Sequence, residues 1–209
     1  MNHWKFLRRG RVSPFTGFRW PEAGQWVRAS AADPCRDGLH ACRLEQLPYW
    51  PSDELWAVEL AGTVVEGEHK VSATEARLVG PVTGWAEAAT ALATACLERT
   101  VGHAAAELRA TDLESWATML ESTPTGELPE RAADLARAAG ASRRRQAETL
   151  CLYVADAAEG IATYPVASIM YIAARAANQR RSGPDDDPYL AERRWQARWI
   201  ADRLGLTPS

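Results

Sequence analysis

Through its first 82 residues the chain alternates apolar and polar positions between turn residues, and from Gly84 onward the apolar positions recur at helical spacing. Trp4-Lys5-Phe6-Leu7 reads as a first strand. Arg8 to Gly17 has the Gly, Pro and Ser content of a loop, Pro21 holds Phe18-Arg19-Trp20 extended, and Gln25 to Ala29 reads as a strand. Turn signals at Ala32-Asp33-Pro34 and Arg36-Asp37-Gly38 surround Cys35. Leu39 to Cys42 follows as a strand, with Leu39 and Ala41 on one face and His40 and Cys42 on the other. A short crossing segment beginning at Glu45 leads to a strand from Asp53 to Leu60, in which Trp56, Val58 and Leu60 oppose Leu55, Ala57 and Glu59. Gly62 and Gly67 punctuate, and Lys70 to Val79 is a last strand, ended by Gly80-Pro81.

The second pattern predicts helices with named starts and stops. Trp85, Ala88, Leu92, Cys96, Ala105 and Leu108 mark one face of the first. Thr111-Asp112-Leu113-Glu114 has the form of a capping box and opens a second helix through Leu120. Pro129 starts a third, closed by Gly140; Ser142 caps a fourth, closed by Gly160. Pro165 starts an alanine-rich fifth, ended by Ser182-Gly183-Pro184. Asp187 caps a sixth with Pro188 at its first position, and Gly205 stops it after Leu204. The expected architecture is α+β: a small mixed or antiparallel sheet in the N-terminal part, then about six helices. Residues 1–82 form the β-rich part and 83–209 the helical part, packed as one unit because short strands alone would expose a sheet face.

Composition narrows the function classes. A formal net charge of -3 over 209 residues gives no electrostatic reason to expect nucleic acid or an anionic membrane as partner. No run approaches the ~20 apolar residues of a membrane span, and the first residues lack the apolar core of a secretion signal. The cysteines at 35, 42, 96 and 151 form no paired CxxC and read as reduced, buried thiols of a cytoplasmic protein. Nine tryptophans, six of them in the first 85 residues, imply a dense aromatic core or a ring-lined cleft.

Candidate chemistry concentrates between Asp37 and Leu60. His40 is the natural general acid or base near neutral pH, and Arg43 can clamp a carboxylate, sulfate or phosphate. Tyr49, Trp50 and Trp56 surround the crossing segment and could stack on a planar ring, with Trp56 the one most suited to the core. Arg19 and Trp20, with Arg8, Arg9 and Arg11 upstream, form a candidate opposite wall. Glu54 and Glu59 fall on opposite strand faces and do not form a carboxylate pair. Arg143-Arg144-Arg145 falls in a helix first turn, where the dipole disfavours cations, and Asp185-Asp186-Asp187 is explained by helix capping. The chain lacks a P-loop, GxGxxG, GxSxG and HExxH, which disfavours the common nucleotide hydrolases, Rossmann oxidoreductases, serine hydrolases and zinc proteases. No metal or cofactor is assigned.

Several stretches carry a resemblance. Lys5-Phe6-Leu7-Arg8, Pro14-Phe15-Thr16-Gly17, Arg19-Trp20-Pro21, Gly38-Leu39-His40-Ala41-Cys42, Leu47-Pro48-Tyr49-Trp50, Asp53-Glu54-Leu55-Trp56 and a tail running from Glu192-Arg193-Arg194-Trp195-Gln196 to Leu204-Gly205-Leu206 resemble a group of uncharacterised bacterial proteins. That resemblance implies a fold and no activity. The order of Gly-Leu-aromatic-Ala, a segment ending in Tyr and a following strand is also similar to the central part of ADP-ribosyltransferase folds. It implies that His40 stands where that family's pocket tyrosine does, that Glu59 lies in the following strand, and that the first-strand His or Arg is His3 or Arg8.

Three readings follow. The first is an intracellular enzyme acting on a small anionic molecule by general acid/base chemistry, with elimination or transfer of an anionic group, in specialised metabolism. Its catalytic set is His40, Tyr49 and Glu59, and its binding set Arg8, Arg19, Trp20, Arg43 and Trp50. The second is a divergent ADP-ribosyltransferase-like protein that binds NAD. The third is a non-catalytic adaptor or complex subunit, whose helical half contacts a protein partner or a second copy.

Overall fold

A computed structural model describes residues 2–34, 36–180 and 187–207. The architecture is α+β, a five-stranded antiparallel sheet followed by helices. The strands are β1 (His3–Leu7), β2 (Val27–Arg28), β3 (Leu39–Ala41), β4 (Glu54–Glu66) and β5 (Val71–Pro81). The helices are α1 (Trp85–Ala110), α2 (Glu114–Ser122), α3 (Leu128–Ala141), α4 (Arg145–Gly160), α5 (Val166–Ala177) and α6 (Pro188–Leu204). Two compact units result: Met1–Ala89 with Gln196–Ser209, and Thr90–Trp195.

In the first unit β4 pairs with β1 along one edge and β5 along the other. The far edge of β5 is shared, with β3 opposite Val71 to Ala73 and β2 opposite Glu75 and Ala76. The sheet then curls back on itself. Trp4 and Cys42 exchange both backbone hydrogen bonds, at 2.9 and 2.7 Å, which joins the end of β3 to the free edge of β1. Leu7, Trp20, Leu39, Val58 and Leu78 fill one side of this curl, with Trp56 and Leu60 packed against them. Of the two β4 faces read from the sequence, the one with Trp56, Val58 and Leu60 packs into this core, and Leu55 on the other is buried as well. Burying a side chain the size of Trp20 there is worth about 2–3 kcal/mol.

β4 is longer than the sequence pattern predicts. Gly62 does not end it. The residue adopts φ +71 and forms a bulge, with Thr63 N–H donating to Thr74 Oγ1 at 3.0 Å, and pairing resumes to Glu66. The hairpin then turns at Gly67, whose N–H donates to the Lys70 carbonyl at 2.9 Å. The chain of this unit also meets its own far end: Asn2 Nδ2 donates to the Thr207 carbonyl at 3.3 Å.

In the second unit two helix starts differ from expectation, for one shared reason. Thr111 does not cap α2. Its Oγ1 donates back to the carbonyls of Glu107 and Leu108, Asp112 takes φ +60, and Leu113 N–H bonds the Leu108 carbonyl at 2.9 Å. Ser142 likewise belongs to the end of α3: Arg143 takes φ +57 and Arg144 N–H bonds the Ala139 carbonyl at 2.9 Å. Both segments are left-handed C-terminal turns in which Asp112 and Arg143 stand where glycine is usual. Gly140 therefore lies within the last turn of α3, and of the three arginines only Arg145 enters α4. Asp187 does cap α6, its Oδ1 accepting Leu190 N–H at 2.9 Å, and Gly205 at φ +64 closes that helix. Cys35, Ser182-Gly183-Pro184, Asp185 and Asp186 lie outside the described residues.

This second unit buries a charged cluster. Glu192, 1 % exposed, accepts from Arg99 Nε and from His103 Nε2 at 3.0 Å, and the Arg99 guanidinium lies 4.1 Å from the centre of the Trp195 ring. Burial raises the Glu192 pKa, but the hydrogen bonds from His103 and Arg99 outweigh it and hold the carboxyl below its usual range. Among the described residues no helix is long and apolar enough to cross a membrane.

Candidate functional site

The curl of the sheet leaves a cavity of about 420 Å³ in the first unit. Residue order explains its two-sided chemistry. The loop after β1 supplies Phe15 and Phe18, the buried Trp20 follows, and Trp50 closes another wall after the 3-10 turn Leu44–Tyr49. Phe15 is 82 % exposed and stands edge-on to Trp50, with ring centres 5.8 Å apart. Phe18 meets Trp20 in the same way at 5.9 Å. Trp20 is fixed by its Nε1–H to Ser13 Oγ at 3.0 Å, and Trp50 by its Nε1–H to the His69 carbonyl at 2.5 Å.

The polar side is built from β1, β3 and the start of β5. Lys5 projects from the middle of β1, where its neighbours Trp4 and Phe6 are buried, and its Nζ donates to the His40 carbonyl at 2.6 Å. The same Nζ lies 5.2 Å from the Trp20 ring centre. Lys70, at the turn before β5, has its Nζ 5.5 Å from the Trp50 ring centre. His40 and Cys42 line the cavity between these two amines. Gly38 admits this arrangement: its φ is +146, and a Cβ there would collide with Ser72 Oγ.

Burial, aided by the charge of Lys70, lowers the Lys5 pKa to about 8. Burial and the charges of Lys70 and Lys5 lower that of His40 to about 4, so at neutral pH its imidazole is uncharged. Burial pushes the Cys42 thiol up to about 12 against the pull of both lysines. A thiol in that state is neither a nucleophile nor a metal ligand. Cys96 and Cys151 are buried as well, their thiols raised by burial.

Of the residues read from the sequence as a site, His40, Trp20 and Trp50 line this cavity and the other five do not. Arg43 is held by Glu45, at 2.6 Å, and by Glu66. Tyr49 stacks on His69 with ring centres 4.3 Å apart. Glu59 is exposed on the opposite face of β4, where its carboxylate accepts from Arg77 Nε at 2.7 Å. Arg19 donates to the Gly10 carbonyl, and Arg8 is exposed beside a tight turn. That basic turn is gripped by acids. Glu54 accepts the N–H groups of Gly10 and Arg11 and the indole of Trp56, Asp53 accepts that of Arg9, and Arg11 pairs with Glu22. Burial raises the Glu54 pKa, yet the Trp56 and backbone hydrogen bonds prevail and lower it overall.

The sequence reading passed over Lys5 and Lys70. The signal that marks them is scarcity. Of 24 lysines and arginines only these two are lysines, and both line this cavity. With Arg28 and Arg36 they set four cationic side chains against the single acid Asp37. The arrangement offers an apolar, aromatic compartment for a planar body, a cationic end for a negative group, and an amine that titrates near neutral pH. No protein-family model, curated protein or solved structure matches the chain.

Proposed function

We propose that this chain acts on a small anionic molecule with a planar apolar body, bound in the cavity between Lys5, Lys70 and the aromatic rim, and that it moves a proton on that ligand. The observation that carries this reading is the pairing of two amines with Trp20, Trp50, Phe15 and Phe18 around about 420 Å³. A volume of that size suits a ligand of one or two rings. Lys70, with Lys5 in its protonated form, receives the negative group. At neutral pH the Lys5 population contains both ammonium and amine, so one residue supplies an acid and a base form close to the operating pH. His40, uncharged, contributes a ring N–H or an acceptor nitrogen and no charge.

Tryptophan fluorescence tests the binding half directly, because Trp20 and Trp50 line the cavity. 2-Naphthoate should bind at least about tenfold tighter than its neutral amide, a difference of about 1.4 kcal/mol for one partly desolvated charge contact. Its affinity should fall as pH rises through about 8, and Lys5→Met should remove that pH dependence. Equal affinity for acid and amide would sink the proposal.

A further inference from the structure

The chain contains two lysines and 22 arginines, and the two lysines share one cavity. Arginine serves equally well for surface charge and better for bidentate anion binding, and this chain uses it almost everywhere. What a guanidinium cannot do is give up its proton and present a nucleophilic nitrogen. An amine can, and it does so most readily when partly desolvated beside a second cation. Lys5 has both features: it is half-buried, with its ammonium 5.2 Å from the Trp20 ring centre, and Lys70 is a charge that acts on it. The nearby Cys42 thiol stays protonated and does not compete.

We infer that Lys5 is an imine-forming nucleophile, so that the ligand of this cavity carries a reactive carbonyl, as an aldehyde or a 2-oxo acid, as well as its negative group. The inference rests on the anion-binding reading above and names the substrate class of the same site. In the step, the Lys5 ammonium gives up one proton and the free Nζ adds to the carbonyl carbon, the π-bond pair going to oxygen. A proton moves from the new C–N nitrogen to that oxygen. The hydroxyl takes back the proton first released and leaves as water while the nitrogen lone pair forms the C=N bond. One ammonium and one carbonyl become one protonated imine and one water, with no oxidant or reductant. The Trp20 ring, 5.2 Å from Nζ, offers its face to the resulting cation. The imine then draws electrons from the adjacent carbon, which gives proton removal or loss of an anionic group there its chemical purpose.

The full chain is incubated with 4-carboxybenzaldehyde and sodium cyanoborohydride at pH 7, then mapped by mass spectrometry. The expected result is one adduct per chain, on Lys5, formed at a rate that saturates with aldehyde and is blocked by 4-methylbenzoate, which has the anion and the ring but no carbonyl. Lys5→Arg should keep the fold and lose the adduct. Lys70→Met should slow trapping at pH 7, because the charge that helps burial hold Lys5 below its ordinary value is gone. If either variant fails to fold, the pH profile of the wild-type chain decides: a trapping midpoint near 8 supports the inference, and one near 10.5 overturns it. Equal labelling of Lys5, Lys70 and the terminal amine, or labelling of Lys70 alone, also overturns it. Binding of 4-methylbenzoate without any Lys5 adduct refutes the imine and leaves the anion site standing. Absence of both binding and adduct refutes the two together.

Discussion

The Lys5 ammonium donates to the backbone carbonyl of His40, 2.6 Å away, so the one lysine of β1 is anchored on strand β3. This anchoring puts an ionisable group where ionisation is costly. Between its folded pKa of about 8 and its ordinary 10.5, the unfolded chain holds a proton that the folded chain lacks, so the penalty applies in full below pH 8 and fades as pH rises toward 10.5. Lys5→Met should therefore stabilise the chain at pH 7 by about 2 kcal/mol, after allowing about 1 kcal/mol for the lost hydrogen bond. Urea midpoints at pH 7 and pH 10 check this. A gain that does not shrink at the higher pH would show that ionisation is not its source.

His40 makes the opposite end of the pH range informative. Its folded pKa of about 4 lies below the usual 6.5, so as pH falls from 6.5 to 4 the unfolded chain takes up a proton that the folded chain refuses, and stability drops. For this partly exposed ring the loss is about 2 kcal/mol. His40→Gln should flatten that part of the melting-temperature profile. A variant that tracks the wild type between pH 7 and 4 would contradict the assignment.

Phe15 separates binding from stability. At 82 % exposure it contributes little to the core, and it borders the cavity. Phe15→Ala should leave the denaturation midpoint within about 0.5 kcal/mol. It should weaken 2-naphthoate about fivefold, close to 1 kcal/mol of lost aromatic contact. Fluorescence titration of both proteins measures it.

Gly38 is predicted to be intolerant for two additive reasons, its φ of +146 and the approach of Ser72 Oγ. Gly38→Ala should cost about 2–3 kcal/mol. Pairing it with Ser72→Ala should recover the steric part and leave the backbone part. Full recovery in the double variant would mean the backbone conformation carries no strain for alanine.

In the second unit, Glu192→Gln replaces the charged acceptor shared by Arg99 and His103 with a neutral amide. Loss of a carboxylate that is 1 % exposed should destabilise by about 3 kcal/mol, with the partly exposed Arg99 limiting the damage. Because the Glu192 pKa is lowered overall, its stabilisation is present at neutral pH and lost as pH falls through the folded value. The difference between the two proteins should thus narrow in acid.

The strands and helices were legible wherever a local signal had a single use. Asp187 followed by Pro188, and Gly205 after Leu204, could only start and stop a helix, and they do. Thr111 and Ser142 had two uses, because a hydroxyl can cap the helix after it or bond back to the one before it. The left-handed Asp112 and Arg143 that decide the matter are visible only in three dimensions. In the site, His40, Trp20 and Trp50 were legible as polar and aromatic residues in a dense window. Arg43, Arg19 and Glu59 were not legible as paired residues, since their partners Glu66, Gly10 and Arg77 meet them through strand pairing and turns. Lys5 was not legible as a cavity residue, because the Trp4–Cys42 pairing that closes the curl is not visible in the sequence.

The bond between Asn2 and Thr207 joins the two stretches of chain that make up the cavity-bearing unit. The unit that holds the cavity is built from residues 1–89 and 196–209, with all of residues 90–195 made in between. On the ribosome, β1 must wait some fifty residues for its partner β4 (Phe6 pairs with Leu55), and the segment from Gln196 onward emerges after residues 90–195. Pairings of such long sequence separation close slowly. All five strands, ending at Pro81, and the whole helical unit are made before Gln196, and a nascent chain arrested there would lack part of the unit that holds the cavity.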